Sequence, residues 1–207
     1  MEDLSEQAIR TSCPHCSVTS QAFTYILEEA DNFYIVCDAH PLTEGHILII
    51  PKQHISCVGE FPKDLFEEFL SLNKKVSEFL LKEYGSVSSF EHGVFGQTVF
   101  HSHIHYLPFN GNSNEIVPEK EKLFKINDLS ELQTLFKRYG GYLFFSIGEN
   151  KWGVNVGIAA PRFFRDRLAK ALGKLDRGNW KNMRGDKKLM EQGVKDNTST
   201  QNKWKRY

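Results

Sequence analysis

Three imidazoles, those of His101, His103 and His105, recur at every second position in a run that includes Val99, Phe100, Ile104, Tyr106 and Leu107. A period of two among β-branched and aromatic neighbours predicts a strand over residues 96–108. All three rings would then project from one face, with Ser102, Ile104 and Tyr106 on the other. Near neutral pH an imidazole is a nucleophile, a proton carrier and a metal ligand. Three of them side by side in an apolar core would leave ring nitrogens to satisfy, so the row reads as a site rather than as core filling.

A second set of donors lies far away in sequence. Cys13-Pro14-His15-Cys16 has the spacing of a zinc knuckle or of a thioredoxin-type thiol pair, and the spacing alone leaves both open. The chain has four cysteines, which suits metal or redox work in a reducing compartment better than a secreted disulfide framework. Cys37 and Cys57 read as buried thiols. His15 and His92 read as loop residues, with His92 near the mouth of the site.

Several elements are needed to hold these groups. Residues 23–28 and 33–37 read as strands joined by a turn at Ala30-Asp31-Asn32. A loop containing Pro41 and Gly45 follows, and then the continuous apolar run His46-Ile47-Leu48-Ile49-Ile50, a buried central strand ended by Pro51. Asp64 and Glu67 have a capping-box pattern, and Leu65, Phe69, Leu72, Val76, Phe79 and Leu80 form a helical stripe that Gly85 stops. Residues 87–91 are a further strand. The order predicts an α+β fold: a mostly antiparallel sheet with a helix packed on it.

Past Asn110 the texture changes. Residues 111–114 read as a linker, so residues 1–110 are expected to form the domain that carries the histidine row and 111–207 an α/β C-terminal extension. In the extension, residues 129–139 and 163–172 have helical spacing, and residues 142–147 and 154–158 read as a hairpin around Glu149-Asn150-Lys151. From about Asp186 the chain is polar and is expected to be a mobile tail.

The chain has 207 residues, enough for one well-buried domain with an appendage, and ordinary globular composition. Its zero net charge conceals an asymmetry. Residues 161–207 hold 14 Lys+Arg against 5 Asp+Glu, leaving 12 basic and 21 acidic residues in the first 160. Such a tail can bind an anion or pack on the acidic body, and composition does not choose between them. No apolar run approaches the roughly 20 residues that span a bilayer, and the acidic N-terminus lacks the pattern of a signal peptide. A cytoplasmic protein with no membrane partner is the expectation.

Half of the chain, from Cys13 to Pro108, resembles the histidine triad (HIT) family of nucleotide hydrolases and transferases. His101-Ser102-His103-Ile104-His105-Tyr106-Leu107 is similar to the family's His-x-His-x-His-apolar-apolar signature, with Ser102 less apolar than usual. Gly96-Gln97-Thr98-Val99 before it, and the segment from Asp38 through Pro51 to His54, are similar to family segments in the same order. The resemblance implies attack by a neutral imidazole on the α-phosphorus of a nucleotide, giving a nucleotidyl-histidine that water or another acceptor cleaves. It makes His103 the nucleophile and His105 the group that contacts phosphate oxygen or the leaving group. It also makes His46 a supporting histidine, Gln97 and Thr98 phosphate donors, and Asp38 a ribose ligand. Ile26, Phe33 and Ile47 read as ordinary core rather than as a base pocket.

In the family's zinc-containing branch, a Cys-x-x-Cys pair and two histidines hold the ion. Cys13, Cys16, His54 and His101 occupy the matching positions, which implies a closed structural zinc site. The implied partner is a nucleotide substrate, either a dinucleoside polyphosphate or a nucleoside phosphoramidate, and the resemblance is compatible with a homodimer. Two other readings compete: a hydrolase using the histidine row as ligands for a catalytic metal, and a nucleotide- or RNA-binding module without turnover, suggested by the basic tail. Nucleic acid is the less favoured partner. Arg162, Arg165 and Arg167 open a helix, and Trp180 lies among Arg177, Lys181 and Arg184; these read as a solvated face and an aromatic anchor ahead of phosphate ligands.

Overall fold

The computed structural model describes residues 12–207. Eight strands form one antiparallel sheet: β1 (Ile26–Glu29), β2 (Phe33–Cys37), β3 (Ile47–Pro51), β4 (Ser88–Glu91), β5 (Ile104–Leu107), β6 (Leu123–Ile126), β7 (Leu143–Ile147) and β8 (Asn150–Val154). Their order across the sheet is β1-β2-β3-β5-β4-β7-β8-β6. The helices are α1 (Lys63–Tyr84), α2 (Ser113–Ile116), α3 (Glu131–Tyr139), α4 (Phe163–Ala171), α5 (Trp180–Gly185) and α6 (Lys187–Trp204). The expected α+β class, with its mostly antiparallel sheet and packed helix, is what forms.

Alternation along the strands sorts side chains between two faces. Ile47 and Ile49 of β3 and Ile104 and Tyr106 of β5 join the core under α1, with Phe69, Val76 and Phe79. Leu107 and Phe90 face the other way, against Phe145, Phe164 and Leu168. His105 lies directly across from Phe90 and stacks on it, with ring centroids 4.2 Å apart. The histidine face is therefore the one away from α1. Helix α1 starts one residue before Asp64, with Pro62 as its N-cap, so the Asp64–Glu67 capping box does not form. Gly85 ends it as expected, at φ +73, a left-handed conformation that glycine adopts without a Cβ clash.

Three other expectations change. The histidine strand is shorter than its alternation suggests: β5 starts at Ile104, because the Ser102 amide donates to the Ile55 carbonyl (2.6 Å) instead of to a neighbouring strand. The hairpin turns at Gly148 and Glu149, so its second strand is 150–154, and residues 156–158 are a 3-10 turn. The boundary expected near residue 110 does not divide the sheet: β7 pairs with β4, so the extension lengthens the first half's sheet. The stretch read as a linker at 111–114 runs straight into α2.

The polar C-terminus is not a featureless tail. It forms α6, which packs on β1 and β2. Its contacts are largely polar, which is why hydrophobic periodicity does not reveal it. Thr200 Oγ1 accepts from the Gly45 amide (2.9 Å), Asn197 donates to the Asp38 carbonyl (3.0 Å), and Arg177 pairs with Asp196 at 2.6 Å. Trp204 closes the helix on Phe79, with ring centroids 4.7 Å apart. No described helix is long and apolar enough to cross a membrane.

Candidate active site

His103 and His105 approach each other at the head of β5, with ring centroids 5.0 Å apart. His103 Nδ1 lies 2.6 Å from the His101 carbonyl oxygen. A carbonyl only accepts, so Nδ1 carries the proton and Nε2 keeps its lone pair. The tautomer of His105 follows from a longer chain. The Leu42 amide donates to His46 Nδ1 (3.0 Å), so His46 carries its proton on Nε2. That proton is given to His105 Nδ1 at 2.9 Å, which puts the His105 proton on its own Nε2. Two neighbouring imidazoles thus offer opposite functions, a lone pair on His103 and an N–H on His105.

Burial holds all three rings below the ordinary imidazole value, His46 at about 4, so they are neutral at pH 7. Asp38 is buried beside them, its Oδ2 3.6 Å from both His46 Nε2 and His105 Nδ1. Burial alone would raise its pKa. The Arg165 guanidinium at 2.7 Å, the neighbouring His46 and the His40 amide outweigh that and hold the carboxyl at about 2. Asp38, His46 and His105 lie close enough to share an ion. A cation there would have to displace Arg165 from Asp38 and break the bond between the two imidazoles.

These groups open on a cavity of about 310 Å³, a size suited to a small ligand. Three parts of the chain wall it. The N-terminal segment supplies His15 and Gln21, the sheet and its loops supply Asp38, His40, His92, Thr98, His103 and His105, and the extension supplies Arg162, Arg165, Trp180 and Arg184. His92 lines the cavity as expected, but its Nε2 accepts the Phe164 amide (3.1 Å).

Of the two expected phosphate donors, Thr98 lines the cavity and Gln97 does not. The Gln97 amide donates to the Ser56 carbonyl (2.7 Å), and this partly buried bond ties down its loop. Ile26, Phe33 and Ile47 also stay outside the cavity, Phe33 and Ile47 being fully buried. His15, read as a loop residue, is buried against His103, with ring centroids 4.8 Å apart. Neither His40 nor the pairing of Asp38 with Arg165 is foreseeable, because each depends on contacts more than a hundred residues apart in sequence.

Next to the cavity, one ligand atom each from Cys13, Cys16, His54 and His101 lie within 4.8 Å of one another. Cys16 Sγ is 3.2 Å from His54 Nδ1 and 3.4 Å from His101 Nδ1, and Cys13 Sγ is 3.5 Å from His101 Nδ1. Tetrahedral zinc with ordinary bond lengths would separate sulfur from nitrogen by roughly 3.5 Å. His101 Nε2 donates to the Pro51 carbonyl (2.8 Å), leaving the Nδ1 lone pair toward the thiols. The donor set therefore fits a closed four-coordinate metal site.

The HIT domain profile matches residues 19–112. The chain is 30% identical over 111 residues to an adenylylsulfatase, HINT3, of Arabidopsis thaliana, covering 51% of this chain and 56% of that protein. It thus spans little more than half of that relative. It is 31% identical over 103 residues to an uncharacterized HIT-like protein of Borreliella burgdorferi, covering 46% and 74%. Among solved structures, a hypothetical histidine triad nucleotide-binding protein from Sulfolobus tokodaii shares 29% identity at a TM-score of 0.41, over 48% of this chain and 71% of the other. At 31% identity the chain covers 74% of the Borreliella relative, and so the protein belongs to the HIT family of nucleotide-binding hydrolases and transferases.

Proposed function

We propose that the protein cleaves a nucleotide at its α-phosphorus through a covalent nucleotidyl-His103, the substrate being a dinucleoside polyphosphate or a nucleoside phosphoramidate. The observation that carries this reading is the proton placement: a lone pair on His103 Nε2 beside an N–H on His105. In the first step the bond from His103 Nε2 to phosphorus forms while the bond to the leaving oxygen or nitrogen breaks, and the His105 Nε2–H hydrogen-bonds the leaving atom, which takes its proton from solvent. In the second, water attacks phosphorus, the bond from His103 Nε2 to phosphorus breaks, and the water's proton leaves to solvent. His46 fixes His105 in the tautomer that presents this N–H. Asp38 has acceptor capacity left for a ribose hydroxyl, since a carboxylate has about four acceptor positions and Arg165 and His40 use only two.

The Cys13, Cys16, His54 and His101 cluster holds a structural zinc in this reading. Bound there, the ion would supply a fixed cross-link and no reacting group. It would pin His101, whose carbonyl orients His103. Nothing in the site selects water over another acceptor.

The test is mass spectrometry of protein quenched during turnover of diadenosine polyphosphate, adenosine phosphoramidate and adenylyl sulfate, the last suggested by the name of the Arabidopsis relative. An adenylyl mass on the peptide carrying His103, absent from His103→Ala, is the expected result. Turnover without that adduct, or turnover that survives His103→Ala, would overturn it.

A further inference from the structure

The proposed chemistry fixes the α-phosphorus beside His103 but leaves the nucleobase without a place. Ile26, Phe33 and Ile47 do not line the cavity, and from β3 only the aliphatic side chain of Leu48 reaches it. Its wall can be followed outward from the nucleophile. His103 lies 5.0 Å from His105, ring to ring, and His105 Nδ1 lies 3.6 Å from Asp38 Oδ2. Asp38 Oδ1 accepts the His40 amide at 2.8 Å, and the His40 ring is 5.8 Å from that of Trp180. This sequence of groups matches the order phosphate, ribose, base.

Among the described residues, Trp180 is the only Trp, Tyr or Phe that lines the cavity. It is half-buried, and the Arg184 guanidinium, itself held by Gln21 Oε1 at 2.7 Å, lies 5.2 Å over its ring. Such a stack holds the indole in place without apolar packing. His40 is 8% exposed, and its Nε2 has no hydrogen-bond partner among the described residues. A buried ring nitrogen without a partner is costly unless a ligand provides one. Arg165 ties the corner together, donating to both Asp38 and the His40 carbonyl at 2.7 Å.

We infer that Trp180 and His40 form the nucleobase subsite: the base of a nucleoside 5′-phosphate stacks against the indole of Trp180, and His40 Nε2 hydrogen-bonds its edge. This inference rests on the nucleotide reading of the same cavity. It gives the extension a share in substrate recognition, since Trp180 lies beyond the residues that match the HIT profile.

The experiment is a binding titration of the full chain with AMP, GMP, CMP and UMP, and with ribose 5-phosphate as a probe lacking the base. Calorimetry and tryptophan fluorescence are read together. Trp152 and Trp204 are outside the cavity lining, so nucleotide quenching should vanish in Trp180→Phe while binding persists. Trp180→Ala should weaken the nucleotides by about tenfold or more, the range of one lost base stack, and leave ribose 5-phosphate unchanged. His40→Ala should alter the affinity ratios among the four bases and again leave ribose 5-phosphate alone. Undiminished nucleotide binding by Trp180→Ala, or equal weakening of nucleotides and ribose 5-phosphate, would overturn the subsite. Base-dependent binding without any adduct on His103 would instead overturn the catalytic reading.

Discussion

Behind the histidine face, Glu91 is a carboxyl whose surroundings matter to the site. It accepts from Ser102 Oγ (2.8 Å), from the Val58 amide (3.1 Å) and from Tyr142 Oη, and so anchors the residue between His101 and His103. Burial pushes its pKa up to about 7, only partly opposed by these donors. The folded value therefore exceeds that of the unfolded chain. Stability from Glu91 is fully present below about pH 4.5 and is lost as pH rises through about 7. Between those limits the loss is on the order of 3 kcal/mol. Denaturant melts of wild type and Glu91→Gln from pH 4.5 to 8 should show a difference that moves in favour of the variant as pH rises. A pH-independent difference would mean that the carboxyl keeps an ordinary pKa.

Among the elements, the Cys13–Cys16 turn meets two distant parts of the chain. It joins the N-terminal segment to the loop after β3 and to the approach to β5 through four donors. Cys16→Ser should reduce bound zinc from one equivalent per chain toward none, measured by elemental analysis. It should also lower thermal stability by several kcal/mol, because an ion whose ligands meet only on folding would stabilise the folded chain. Activity should then fall in proportion to the loss of folded protein. Retention of zinc would exclude Cys16 as a ligand. Helix α6 is held differently, by polar contacts and one large aromatic. Trp204→Ala should cost about 3 kcal/mol by emptying its place on Phe79, and urea denaturation would read this directly.

Across the whole molecule, the basic extension lies on the acidic first half. Arg165 pairs with Asp38 and Lys203 with Glu44, at 2.7 and 3.0 Å. The first of these is buried, and removing one partner leaves an unpaired charge in the interior. Arg165→Met should therefore cost about 3–5 kcal/mol. The double variant Asp38→Asn, Arg165→Met should recover much of that, because both charges are gone. A denaturation cycle over the four proteins measures the coupling; additivity would mean that the pair does not latch the two halves.

The sequence by itself determined the periodic parts and the side chains they present. The stripe of α1, the apolar run of β3 and the alternation of His101, His103 and His105 are local patterns, each governed by the geometry of a single helix or extended segment. The Cys-x-x-Cys spacing and the two HIT-like segments likewise named a donor set that folding gathers into one cluster. Tertiary structure alone decided which surface the second half of the chain offers. The edge of β4 accepts β7, and α6 forms on hydrogen bonds from the Gly45 amide and to the Asp38 carbonyl that no periodicity records. Gln97 turns to a backbone carbonyl, while His15, His40 and Trp180 arrive at the cavity from three separate segments. A side chain's neighbours within one element follow from residue spacing, but its neighbours across the fold are set by packing of the whole chain, and half of this cavity is built from the second kind.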